Sequence, residues 1–359
     1  MRKRVVITGA SGNVGTALLR KLAAADADYD VVAIARREPP PTDVYRSACW
    51  HQLDLSDPKA VTHLQRLFHK ARCVVHLAWA FQPSRNPRYL DAVGVGGSSA
   101  VLIAAHAADV SHLVYLSSAA TYAPAPGQRV DESWSTAGIP TSTYSRAKSA
   151  VEALMDDYDR KGDGVPITRL RPGFIVQRQA AASIRRYAFP AYLPPRLVRL
   201  LPLVPLLLPA SLALPVIHAD DVADACIKAI ERRVFGAFNL SSEPPVRPHQ
   251  IARAVGATPT NLPTGLIKPL MHASWVTGLQ PLDPGWLDLA IAMPLLSTDR
   301  AHEALDWCPQ RTSEQALAEL AEGLRRGAGT QSPVLSSRSL IDSLWRDLSN
   351  GPVSTRIES

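Results

Sequence analysis

Cysteine is scarce: Cys49, Cys73, Cys226 and Cys308 are the only four in 359 residues. They lie far apart, with no C-x-x-C pair and no histidine at ligand spacing. This excludes a disulfide or zinc framework, suits buried thiols in a reducing compartment, and leaves no metal to expect. Long basic runs are also missing. The net charge is +7, but no run exceeds Arg2-Lys3-Arg4, and no helix-turn-helix or finger spacing accompanies the basic residues. The sign of the charge fits attraction of an anionic small molecule, and nucleic acid is not expected as a partner. No internal repeat is visible. An unbroken membrane-length run is absent too: Leu200 to Ile217 is uncharged and apolar, but Pro202, Pro205, Pro209 and Pro215 interrupt it. It reads as the greasy wall or lid of a pocket rather than an integral span. Peripheral membrane contact through 200–217 is the alternative. The first strand begins within a few residues of the start, which leaves no space for a signal peptide, so a cytoplasmic protein is expected.

A hydrophobic content of 46% is enough for a sizeable core, in one large domain or two. The most informative stretch is Val5 to Gly15. Val5-Val6-Ile7 is the apolar, β-branched pattern of a strand buried on both faces. Gly9, Gly12 and Gly15 follow at a spacing of three, and then Leu18, Leu19 and Leu22 fall on one helical side. A strand, a glycine turn and a helix N-terminus in this order form a phosphate cradle for a dinucleotide.

Further along, Tyr29–Ala35 reads as a second strand and ends in Arg36-Arg37. A carboxylate near this point binds the adenosine ribose of NAD. Here Ala35 and two arginines stand instead, which suits a 2′-phosphate. NADP is therefore favoured, with NAD as the alternative. Cys49–Leu55 is a third strand, with Asp54 placed to take an adenine amino group. Residues 58–70 form an amphipathic helix, Cys73–Trp79 a fourth strand and Arg88–Asp109 one long helix. Leu113–Ser118 and Val165–Pro172 are the fifth and sixth strands. This alternation predicts an α/β fold, a Rossmann-type doubly wound parallel sheet.

From about 175 the alternation fails and prolines multiply. The predicted division is a dinucleotide-binding domain over 1–175, to which 218–240 returns. A smaller, interleaved, C-terminal substrate-binding part covers 176–217 and 241–326. Residues 327–359 read as a small-residue linker, Gly327–Ser337, followed by a helix with Leu340, Ile341, Leu344, Trp345 and Leu348 on one face.

Tyr144 and Lys148 stand four apart on a predicted helix and so share a face. A phenol is a poor base at neutral pH unless a neighbouring ammonium stabilises its phenolate. Ser117-Ser118 ends a strand, where a hydroxyl faces any ligand of a doubly wound sheet. Together these three side chains suit proton transfer to or from a hydroxyl.

At this point the chain resembles the extended short-chain dehydrogenase/reductases, the NAD-dependent epimerase/dehydratase family. The residues that carry the likeness are Thr8 to Gly15, Asp54-Leu55, His76-Leu77-Ala78, Ser117 to Tyr122, Tyr144 with Lys148, Arg171-Pro172-Gly173 and His218 to Ala223. They cover 4 to about 240. The resemblance implies that Ser118 polarises the substrate oxygen, that Tyr144 is the general acid/base, and that Lys148 binds the nicotinamide ribose while lowering the tyrosine pKa. Gly9, Gly12, Asn13, Val14 and Gly15 would line the pyrophosphate, with Asp54 and Leu55 beside the adenine. Leu77 and Ala78 would run beneath the cofactor, and Pro172 would border it. Relatives often dimerise through the helices equivalent to 88–109 and 141–161, which implies a homodimer. One departure is clear: the family's usual Asn-Val-x-Gly-Thr is here Gly94-Val95-Gly96-Gly97-Ser98, so the asparagine's part in a water relay or helix kink does not carry over.

Dehydratases of this kind place Asp-Glu after the active-site hydroxyl, where this chain has Ala119-Ala120. Arg178, Arg185, Arg186, Arg196 and Arg199 could clamp a nucleotide-sugar diphosphate, but leucine and proline dominate that region and Trp79 lies beside the cofactor strand. The expected enzyme is an NAD(P)-dependent dehydrogenase or reductase acting on an apolar carbonyl or alcohol. Nucleotide-sugar epimerisation is the runner-up, and a non-catalytic NADP-binding sensor or scaffold is a third reading.

Overall fold

The fully apolar stretch Val5–Ile7 lies at the centre of strand Lys3–Thr8, and its side chains are inaccessible on both faces of the sheet. In this computed structural model, which describes residues 2–25, 28–80, 86–162, 164–188, 206–261, 263–277 and 279–337, that strand is an inner member of a seven-stranded sheet. From edge to edge the strands are Gly236–Leu240, Ile167–Pro172, Leu113–Leu116, Cys73–His76, Lys3–Thr8, Tyr29–Ala35 and Cys49–Gln52, and every pairing is parallel. The chain winds outward from Lys3–Thr8 in one direction, then crosses back to Cys73–His76 and winds in the other. The crevice where the winding reverses opens at the carboxyl ends of these two central strands.

Helices cover both faces, as parallel strands require. Asn13–Ala24 packs on Ala219–Arg232 on one side, and Leu18, Leu19, Val222, Ile230, Leu305 and Trp307 share that core layer. On the other side Ala60–Phe68, Gly97–Ala107 and Thr143–Lys161 bury Leu64, Phe68, Val101, Val151 and Met155. The helical run Arg88–Ala107 has the length and hydropathy of a membrane span among the described residues, but more than half of it is buried inside the fold.

Three local features differ from expectation. The fourth, fifth and sixth strands are shorter than predicted, so Leu77–Trp79 and Ser117–Ser118 are loop residues freed to line the crevice. The long helix is interrupted by a π-helical turn at Ala92–Gly96, where the Ser98 hydroxyl donates to Gly94 O at 2.6 Å. The kink therefore persists without the asparagine. The stretch Gly327–Ser337, expected as a linker, is instead packed, with Ser332 and Leu335 buried. Its Ser332 hydroxyl finds a partner on the glycine turn, Ser11 O, and Thr330 Oγ1 lies beside Tyr45 Oη.

The C-terminal part interleaves with this frame. Phe174–Val176, Leu214–His218 and Ser242–Val246 form a three-stranded sheet beside the main one. Helix Ser313–Arg326 packs against it and against Ala181–Ala188. Most of 212–217 faces protein, with Leu212, Ala213, Val216 and Ile217 buried, whereas Leu207 is exposed. Residues 200–205 and the predicted helix after 338 lie outside the described residues.

A charged network fastens the Tyr144–Lys148 helix to the sheet. Glu152, on the same helix, is fully buried and accepts hydrogen bonds from Ser117 Oγ, Arg171 Nε at 3.0 Å, Arg171 Nη2 at 2.8 Å and Arg169 Nη1 at 3.2 Å. Arg171 also donates to Tyr122 Oη, and Tyr122 Oη donates to Asn239. Burial alone would raise its pKa, but the four donors around the carboxylate outweigh that and lower it. Removing the carboxylate leaves the buried Arg171 guanidinium without its carboxylate, while Arg169 keeps Asp156 and Asp159. Glu152→Ala should therefore cost about 3–5 kcal/mol of folding stability, read as a lowered denaturation midpoint; an unchanged midpoint would show the network to be dispensable.

Candidate active site

The glycine turn is built by close approach. Gly9 has φ +71°, and a Cβ on it would lie 2.6 Å from Ala78 N and Cα. No side chain fits between the end of the first strand and the Leu77–Ala78 backbone. Gly15 is equally confined, its hypothetical Cβ 2.5 Å from Ala10 O. Gly12 caps the following helix with no side-chain acceptor, and the first turn carries no acid. The first N–H groups of that helix therefore border the cavity without competing negative charge, which suits a pyrophosphate.

A cavity of about 520 Å³ runs from this turn across the carboxyl ends of the strands. The residues expected from sequence to hold the dinucleotide and carry the proton transfer all line it: Gly9, Gly12, Asn13, Val14 and Gly15 at the turn; Arg36, Arg37, Asp54 and Leu55 at one end; Leu77 and Ala78 along the floor; and Pro172, Ser118, Tyr144 and Lys148 toward the other end. Asn13 spends its side chain on the protein, donating to Ile175 O and accepting from Gln177 Nε2 at 2.7 Å. It thereby ties the turn to the segment Phe174–Gln177. Asp54 Oδ1 accepts from Ser56 N and Oγ. Arg36 donates to Tyr89 Oη and lies over its ring.

Beneath the floor, His76 bridges three elements. Its Nδ1 lies 2.7 Å from Thr8 Oγ1 and its Nε2 3.0 Å from Ser98 Oγ. Burial, aided by the Lys148 charge, pushes its pKa down to about 3. The ring stays neutral, a structural clamp between the two central strands and the kinked helix.

At the reacting end the Tyr144 ring lies between two indoles. It stacks on Trp286 with centroids 5.3 Å apart and meets Trp79 edge-on at 6.1 Å. Burial raises its pKa, and a hydrogen bond with the Ser118 hydroxyl opposes that rise. Lys148 Nζ is buried, donates to Leu116 O at 2.9 Å and Tyr115 Oη at 3.3 Å, and lies 3.7 Å from the Trp79 ring centroid. Its three N–H bonds thus meet a carbonyl, a phenol and a π face. Burial pulls its pKa down to about 7, against a rise from Glu152 one turn along. The expected fall in the tyrosine pKa is not what governs here, because in this arrangement desolvation of the phenol is the larger effect.

Trp79 owes its place to Gly94, the residue that replaces the family's asparagine. A Cβ at Gly94 would lie 3.1 Å from the Trp79 ring, so the indole occupies space that a side chain there would take. Sequence reading missed Tyr89, Leu282, Trp286, Leu289, Met293, Val334 and Leu335 as lining residues. They come from segments remote in sequence and carry no local signal. Of the five arginines considered for a diphosphate clamp, Arg178, Arg185 and Arg186 do not line the cavity, and Arg196 and Arg199 lie outside the described residues.

The sequence model of the NAD dependent epimerase/dehydratase family matches residues 5–241, and the chain belongs to that family. It is an enzyme family that works with NAD or NADP, and the cradle described above fits such a dinucleotide. A relative, L-arabinose 1-dehydrogenase (NAD(P)(+)) of Haloferax volcanii, is 36% identical over 114 residues, covering 32% of this chain and 40% of the relative. The match thus spans well under half of that protein's length. Two solved structures share the fold. The Bordetella bronchiseptica enzyme WbmG with NAD and UDP has a TM-score of 0.68 at 19% identity, covering 94% of this chain and 98% of its own. UDP-glucose-4-epimerase of Stenotrophomonas maltophila with NAD has a TM-score of 0.67 at 20% identity, covering 91% and 99%.

The lowered Lys148 pKa has a measurable consequence. The amine is charged below about pH 7 and neutral above it, so dinucleotide affinity should weaken as pH rises from 6 to 9. The limit is about tenfold per pH unit if binding needs the ammonium. Fluorescence titration with NADPH checks this, and Lys148→Met should flatten the profile.

Proposed function

We propose that the protein is an NADPH-preferring oxidoreductase that interconverts an apolar carbonyl compound and its alcohol. The observation that carries this reading is the composition of the reacting end. Trp79, Trp286, Leu282, Leu289 and Met293 wall it, and the cations among the described lining residues are Arg36, Arg37 and Lys148, all assigned to the cofactor. A diphosphate-bearing sugar would meet little there to balance its charge, whereas an apolar substrate is well accommodated.

In the reducing direction the Tyr144 phenol donates its proton to the carbonyl oxygen as that oxygen gains negative charge. Ser118 Oγ hydrogen-bonds the same oxygen and orients it. The phenol, its pKa raised by burial, holds its proton at neutral pH and is available as the acid, although the rise makes it a weaker one. Lys148 holds a ribose diol by exchanging one of its three contacts for it, and its charge then offsets the phenolate left behind. The bound dinucleotide supplies the hydride in reduction and accepts it in oxidation. Arg36 and Arg37, at a strand end that lacks a carboxylate, serve a 2′-phosphate. Asp54 and Leu55 flank the adenine, and the glycine turn with Asn13 and Val14 carries the pyrophosphate.

The second reading, nucleotide-sugar epimerisation, is favoured by likeness to epimerase structures, and sugar oxidation by the arabinose dehydrogenase relative. Assay of a panel of apolar ketones and aldehydes with NADPH, beside UDP-glucose and L-arabinose, separates the three. Turnover of apolar carbonyls is expected; conversion of UDP-glucose alone would overturn the proposal. Tyr144→Phe should lower kcat by about a hundred- to ten-thousand-fold while NADPH still binds, and surviving turnover would remove Tyr144 from its role.

A further inference from the structure

The family likeness ends at 241, but the cavity does not. Val334 and Leu335 form part of its lining. They belong to a short segment, 328–337, that is tied down along its length. The Ser332 hydroxyl, fully buried, donates to Ser11 O of the turn at 2.6 Å. Thr330 Oγ1 lies 2.8 Å from Tyr45 Oη, and that phenol lies 3.1 Å from Thr16 Oγ1 on the first helix. Arg186 donates to Ser336 O at 2.6 Å and to Val334 O. Leu335 N and Ser336 N close back onto Ser332 O, and Thr330 N donates to Leu335 O, so the segment is a compact loop rather than a tether.

We propose that residues 328–337 are a strap across the pyrophosphate side of the dinucleotide site, and that the cofactor enters and leaves only when the strap parts from the glycine turn. The strap holds no cation against the phosphates. It acts by closing the crevice over the turn, so that the helix N–H groups work with water excluded and are worth more to a bound anion. Its attachments are few and uncharged at the turn itself, where one serine hydroxyl meets one carbonyl. Release is therefore a local event that leaves the sheet intact. A reductase must exchange its dinucleotide every turnover, so opening of the strap becomes a step of the cycle. This inference requires only a dinucleotide site, not the substrate class proposed above.

Two measurements test it. Stopped-flow displacement of NADPH by excess NADP should show release, and also binding, faster by about tenfold in the Ser332→Ala/Thr330→Val variant, the order that one or two lost hydrogen bonds carry. Rates within about twofold of the parent would overturn the proposal, provided the variant keeps the parent's melting temperature. Hydrogen exchange on the unaltered protein covers the case of a variant that fails to fold. The amides of Leu335 and Ser336 should exchange at least about tenfold more slowly with saturating NADPH, because the ligand holds the strap shut. Exchange there that is indifferent to NADPH would refute the strap even if the carbonyl panel succeeds. A silent carbonyl panel with slowed exchange would leave the strap standing and the substrate reading refuted.

Discussion

The structure depends on one close approach: two central strands end side by side, and at Gly9 and Ala78 their backbones pass with no room for a Cβ between them. This contact makes the crevice floor flat enough for a ligand to lie on, and it brings the uncapped start of the first helix to the crevice edge. His76, neutral and bonded to Thr8 and Ser98, holds the same junction from below. Every other functional group is placed relative to this junction. Lys148 and Tyr144 arrive from a helix on one face, Arg36 and Arg37 from the next strand, Trp79 from the loop after Cys73–His76, and Trp286 from the helix Pro284–Ala292.

The reacting end is organised by competition between burial and charge. Lys148 is taken out of water and retains part of its charge through a carbonyl, a phenol and an indole face, while Glu152 supports it from the next turn. Glu152 can do so because Arg169 and Arg171 compensate its own burial. The Thr143–Lys161 helix is thereby fixed to the sheet through ions as well as through apolar packing. The price is a network in which no member can be removed singly.

The π-helical kink shows how a family feature can survive loss of its usual residue. The asparagine is gone, yet Gly94 and Ser98 retain the irregular turn, and the vacated space takes the ring of Trp79. That exchange shapes the pocket twice, since the same indole packs beside Tyr144 and covers Lys148. Gly94 and Trp79 therefore act together, since a side chain at 94 would meet the indole.

Local pattern in the chain was sufficient for the doubly wound sheet, the glycine turn and the Tyr144–Lys148 pair, because each is written in residues close together: a β-branched run, glycines at a spacing of three, two side chains one helical turn apart. Strand ends were read too long at Trp79 and Ser118, since apolar and hydroxyl residues there serve the crevice as well as they would serve a ladder. What only the tertiary structure decided was everything that depends on distant segments meeting: Trp286 stacked on Tyr144, Tyr89 under Arg36, and Ser332 on Ser11, more than three hundred residues away. It also decided the sign of the tyrosine shift. Whether a phenol gains more from a nearby ammonium than it loses by leaving water is set by burial, and burial is a property of the packed molecule that no spacing of two residues contains.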